Sequence, residues 1–151
     1  DRISSKIVCN ALYRNVAPRC CSHFMNIQFK PKQGLIVVNA EIEGPTGKAI
    51  LRLALDTGAT STVIHAGMLV ALGYDPATTS ERHQITTGSG IEFVPKISLT
   101  RIKCLGIEKK KFLVLSHTMP SSTSVDGVLG LDFLREKILI INFQEGIINL
   151  S

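Results

Sequence analysis

Between Ile36 and Glu43 apolar and polar positions alternate: Ile36, Val38, Ala40 and Ile42 share one face, and Val37, Asn39, Glu41 and Glu43 the other. A period of two predicts a half-buried strand. Gly44-Pro45-Thr46-Gly47 carries turn chemistry, so a hairpin is expected, and its second arm sets Leu51, Leu53 and Leu55 on one face before ending at Asp56-Thr57-Gly58-Ala59. Thr62-Val63-Ile64 resumes an extended apolar pattern, and Met68, Leu69 and Leu72 fit a short helix stopping at Gly73. Two extended stretches between Gln84 and Ile97 flank Thr86-Thr87-Gly88-Ser89-Gly90, a hairpin tip whose glycines admit positive φ. Phe112 to Leu115 reads as a buried strand, Val125 to Leu134 as an apolar segment running into a short helix, and Ile138–Phe143 with Gly146–Leu150 as a closing hairpin. Residues 1–23 lack clear periodicity, although Ile7, Leu12 and Val16 would allow a short helix. The expected organisation is an N-terminal arm, 1–23, and one domain, 24–151.

The candidate chemistry sits at Asp56. An apolar strand delivering a carboxylate into a tight Thr-Gly turn loses solvation for that group, so the acid has to be paired, hydrogen-bonded or protonated. Thr57 brings a hydroxyl that can fix the turn, and Gly58 lets a second backbone approach. The competing reading is an ordinary Asx turn after a strand.

Asp56-Thr57-Gly58-Ala59 after a leucine-rich strand, followed about seventy residues later by Val128-Leu129-Gly130-Leu131-Asp132-Phe133-Leu134 and a closing strand pair, resembles the retropepsin-like aspartic proteases. The resemblance runs from Phe24 to Leu150. It implies an all-β fold, a closed β-barrel half-site with a flap hairpin and one or two short helices, in which Asp56 is catalytic. Thr57, Gly58 and Ala59 would form the active-site loop and line the substrate cleft, Thr57 bonding across a dimer axis. Thr87, Gly88, Ser89 and Gly90 would form the flap, and Val128, Leu129 and Gly130 would pack beneath the catalytic loop. Viral members place an acid and an Arg where this chain has Thr60 and Leu131, so the ion pair bracing the viral dimer cannot form here; the match is closer to cellular members.

Aspartic proteolysis needs two carboxylates sharing one proton, and this chain carries one Asp-Thr-Gly. A twofold homodimer supplies the second. Asp126 precedes Gly127 in a routine turn pair and is not expected to be the second acid, while Asp132 reads as a helix cap. The apolar closing strands are candidates for pairing with another subunit. The function expected is an aspartic endopeptidase acting on extended peptide or protein; the alternative is a catalytically silent dimerisation or peptide-binding module of the same fold.

Composition adds exclusions. At 151 residues, 44% hydrophobic and 19% charged, one core is the default. The net charge of +5 raises nucleic acid as a partner, and Lys109-Lys110-Lys111 with Arg101 and Lys103 form a candidate basic edge. With no Trp, two Tyr and 5% aromatics there is no stacking platform, so nucleic acid is not expected and the lysines read as a solvated turn. Cys9, Cys20, Cys21 and Cys104 lack metal-ligand spacing, and His23, His65, His83 and His117 are scattered; neither metal nor cofactor is expected. Ser61 and Thr60 lack a neighbouring base for nucleophilic chemistry. No apolar run is long enough for a membrane span, and the cysteines read as scattered free thiols that lean toward a reducing compartment, so a soluble, cytoplasmic setting is favoured over others. The chain begins with Asp rather than Met and reads as a fragment or processed form, with any upstream signal or anchor outside it and self-cleavage near Phe24 as one route to release the arm.

Overall fold

The computed structural model describes residues 25–120 and 122–151; the expected arm, with Cys9, Cys20, Cys21 and His23, lies outside the described residues. The strands are β1 (Ile27–Gln28), β2 (Val37–Gly44), β3 (Gly47–Leu55), β4 (Val63–His65), β5 (Arg82–Thr87), β6 (Gly90–Cys104), β7 (Ile107–His117), β8 (Gly127–Leu129), β9 (Leu139–Asn142) and β10 (Ile147–Leu150). Two short helices, α1 (Ala66–Ala71) and α2 (Leu131–Leu134), complete the set.

The larger sheet runs β2-β3-β8-β4-β7-β6-β5, and a further pairing of β2 with β6 closes six of its strands into a barrel. The fold is therefore all-β with a closed barrel, as the pattern and the resemblance imply. Alternation suits the closure, because strands that curl into a barrel bury their apolar faces against one shared core. Val38, Ala40 and Ile42 from β2 and Leu51 and Leu53 from β3 are buried in one cluster with Leu99, Ile102, Leu129 and Phe133. Burying a leucine of this kind contributes roughly 1.5–3 kcal/mol. A smaller sheet, β1-β10-β9, carries the terminal hairpin.

Closure is reinforced outside the barrel by Arg101. Its Nε donates to Glu43 at 2.7 Å, its Nη1 to Glu108 at 3.1 Å, and its Nη2 to Glu41. These carboxylates hold the guanidinium above its ordinary pKa, and the Arg101 hydrogen bond holds the Glu43 carboxyl below its own. Arg101 is thus spent on holding β2, β6 and β7 together and adds nothing to a basic edge. Burial pushes the Cys104 thiol up to about 12, which makes it a core side chain rather than a nucleophile.

Two local expectations need correction. Lys109, Lys110 and Lys111 lie within β7, and the turn before it is Leu105-Gly106, both residues in the left-handed region (φ 51° and 76°). That pair makes a two-residue hairpin turn without the Asn-Gly or Asp-Gly signal that would mark it in sequence. Asp132 does not cap α2, whose N-cap is Gly130 with no side-chain bond; its carboxylate is used elsewhere.

Candidate active site

Residues 56–62 link β3 to β4, and β8 sets their course. β8 lies between those two strands, parallel to β3 and antiparallel to β4, so the link has to cross the end of β8. The crossing is pinned on both sides: the Asp56 N–H donates to the Leu129 carbonyl at 3.1 Å, and the Leu131 N–H donates to the Ala59 carbonyl at 2.8 Å. Gly130 lies directly against the loop. A Cβ there would stand 2.6 Å from the Ser61 carbonyl carbon and 2.9 Å from the Ala59 oxygen, so only glycine permits this approach. Leu129 and Gly130, both buried, therefore lie against the Asp56 loop, while Val128 pairs with Ala54 of β3 and Val63 of β4 on either side of it.

The far end of the loop is fixed by two side chains. Thr62, fully buried, donates its N–H to Asp132 Oδ2 at 2.8 Å and its hydroxyl to Oδ1 at 2.7 Å. The same hydroxyl accepts the Gly130 N–H at 3.1 Å. Phe133 N–H also donates to Asp132 Oδ1 at 2.9 Å. One threonine and one aspartate thus satisfy three backbone N–H groups where loop, β8 and α2 meet.

Asp56 itself is exposed in the single chain, as are Thr57 and Gly58. The expected desolvation of the acid is therefore absent, because the loop projects beyond the end of β3 and among the described residues nothing covers it. Oδ1 accepts the Gly58 N–H at 2.8 Å, and the Ala59 N–H reaches the Asp56 carbonyl at 3.3 Å. The carboxylate opens into a shallow pocket of about 400 Å³ that Phe29, Ile36 and Phe143 also line, so the Asp56 loop and the terminal hairpin share one face.

Residues 38–136 match the family described as "gag-polyprotein putative aspartyl protease". The chain belongs to this family. Among solved structures, this aspartyl protease family member is similar to the crystal structure of a retropepsin-like aspartic protease from Rickettsia conorii, with a TM-score of 0.64 and 19% identity over 85% of this chain and 90% of that one. That likeness establishes a retropepsin-like fold. No curated protein sequence matched. Family and fold together indicate an aspartic protease.

In this family member, Thr87, Gly88, Ser89 and Gly90 form the tip of the β5–β6 hairpin, the last three exposed, where the Thr87 hydroxyl donates to the Gly90 carbonyl at 3.1 Å and lies 2.9 Å from the Ser89 hydroxyl. At its stem Glu92 stands 3.1 Å from His117 Nε2, tying the hairpin to β7. Neither other nearby acid is available for a dyad. Asp126 Oδ2 accepts the Arg52 N–H at 2.8 Å and Asp132 is held by Thr62. His65 caps α1, accepting the Gly67 N–H at 3.0 Å. Among the described residues no cluster of His, Cys, Asp and Glu could hold a metal ion, and no helix is long and apolar enough to cross a membrane.

Sequence reasoning missed the Thr62–Asp132 clasp. The two residues lie 70 positions apart and neither breaks the local pattern, so only the family motif around Asp132 could have drawn attention to it.

Proposed function

We propose that this chain is an aspartic endopeptidase that works as a twofold homodimer, the Asp56 carboxylates of two protomers meeting at the axis. The observation that carries this reading is a single Asp-Thr-Gly acid, exposed on a braced loop, with both neighbouring acids committed to backbone N–H groups. Two carboxylates at such close range share one proton. The charged one takes a proton from a water held between them as that water attacks the scissile carbonyl, and the protonated one donates to the carbonyl oxygen. Thr57, Gly58 and Ala59 line the floor of the cleft. The tip Thr87-Gly88-Ser89-Gly90 closes over an extended peptide as a flap and offers it backbone hydrogen bonds.

Dimer formation is supported by the terminal sheet. Ile138, Ile140 and Phe143 are half or more exposed on and beside its edge strand β9, and Phe143 shares the Asp56 pocket. An apolar edge strand of this kind calls for a partner. The experiment is cleavage of an unfolded protein at mildly acid pH with Asp56→Asn beside the parent chain, together with sedimentation over a range of concentrations. The variant is expected to lose at least about a thousandfold in rate, and activity to rise with dimer fraction. Undiminished cleavage by Asp56→Asn would defeat the proposal, as would full activity in a strict monomer.

A further inference from the structure

A second pocket, of about 640 Å³, lies between the end of the Asp56 loop and the stem of the β5–β6 hairpin, with Ser61 on one side and His83 on the other. Its wall is cationic: Lys96, Lys109, Lys110 and Lys111 all line it, over Phe112 and Leu115. Three consecutive lysines on one wall are not what a regular strand gives, since successive side chains point to opposite faces. β7 departs from regular geometry at Lys111, which takes φ 51°, while Thr100, the residue of β6 that would face it, donates its N–H to the Tyr74 hydroxyl at 2.8 Å instead. A left-handed lysine is disfavoured backbone, and such outliers gather at binding sites.

The charges divide into two groups. Lys96 is 3.2 Å from Glu81, and Lys109 donates to the Asp132 and Phe133 carbonyls at 3.3 and 2.9 Å while lying 4.9 Å from the Phe133 ring centre. Asp132, the acid on this wall, is occupied by Thr62 and the Phe133 N–H. Among the described residues Lys110 and Lys111 have no ion-pair partner. An apolar floor beneath two uncompensated ammonium groups suits a side chain with a methylene stem and a carboxylate tip.

We infer that this pocket is a substrate subsite selecting glutamate, with Lys110 and Lys111 as the specificity-determining residues. The inference rests on the protease reading for its substrate. Ser61 follows Asp56 by five residues on one loop, and under this proposal the glutamate belongs to the extended peptide that reaches Asp56, about five residues from the cleaved bond at roughly 3.3 Å per residue. In a twofold dimer the pocket occurs twice, so glutamate is selected on both sides of that bond.

The test uses matched fluorogenic dodecapeptide libraries that carry Glu, Gln or Lys at one position at a time. The parent chain is expected to cleave the Glu form about tenfold faster in kcat/KM at one position on each side, the preference fading with added salt. In Lys110→Gln/Lys111→Gln the Glu-to-Gln ratio falls to about one, and in Lys110→Glu/Lys111→Glu a Lys-containing library is preferred instead. Binding of the same peptides to Asp56→Asn, read by fluorescence anisotropy, separates the two claims. A Glu preference in binding that the lysine variants abolish upholds the subsite even if no peptide is cleaved, whereas cleavage with no such preference overturns it and leaves the protease reading standing. Equal displacement of Glu and Gln peptides by inorganic phosphate overturns it in favour of an unselective anion site.

Discussion

Replacing Thr62 by Val keeps the volume of a fully buried side chain and removes its hydroxyl, which isolates the clasp from packing. Two bonds go. The first is the donation to the Asp132 carboxylate at 2.7 Å, worth roughly 1.5–3 kcal/mol for a charged acceptor. The second is the acceptor for the buried Gly130 N–H, and leaving such a donor unpaired costs roughly 1–3 kcal/mol. Asp132 keeps the Thr62 and Phe133 N–H groups, which moderates the loss, so we expect about 3 kcal/mol in all. For a chain of this length that is about 12 °C in Tm. Thr62→Ser keeps the hydroxyl and gives up one buried methyl, about 1 kcal/mol and about 4 °C. Thermal unfolding followed by circular dichroism at one fixed protein concentration compares them, because a dimer's Tm moves with concentration. If Val proves as stable as Ser, the hydroxyl bridges nothing and the account of the loop is wrong.

Gly130→Ala should unseat the Asp56 loop, since its Cβ meets backbone atoms that cannot swing aside; peptide cleavage is expected to fall at least about a hundredfold with a Tm loss of about 8 °C, and near-parent activity would contradict the packing described. Arg101→Gln should lower stability in a pH-dependent way. The Glu43 carboxyl is held below its ordinary value of 4.5, so the stability it brings is present above that value and is lost as pH falls through the lower, folded-state value. The Tm gap between parent and Arg101→Gln should therefore be flat from neutral pH down to about pH 5.5 and narrow below 4.5; a gap that widens in acid would contradict the assignment.

Elements with strong periodicity were readable directly. Ile36 to Ile42 and Leu51 to Leu55 announced the hairpin, and Met68, Leu69 and Leu72 the helix that ends where Gly73 takes φ 88°. The Asp56 loop and the β8 segment were located by motif, because the order and spacing of Asp56-Thr57-Gly58-Ala59 and Val128-Leu129-Gly130 are more specific than either alone. What periodicity could not show was anything decided by long-range pairing. The closure of β2 on β6, the Arg101 carboxylate cluster and the Thr62–Asp132 clasp join residues about 60–70 apart. The lysine segment was misjudged for a related reason: its charge suggested solvent, while its strand identity came from pairing with β6. The exposure of Asp56 was equally out of reach, since an apolar strand before an acid does not reveal how far the loop projects.

The position of β8 between β3 and β4 has a consequence for biosynthesis. The loop bearing Asp56 is made before the groups that shape it: Gly127 through Asp132 leave the ribosome about seventy residues later. Local contacts form quickly, whereas a closure of that span is slow and has to await residues 127–132. A nascent chain thus carries Asp56 on an unformed loop until that later segment has emerged, and a truncated product ending before residue 127 never acquires the geometry at all.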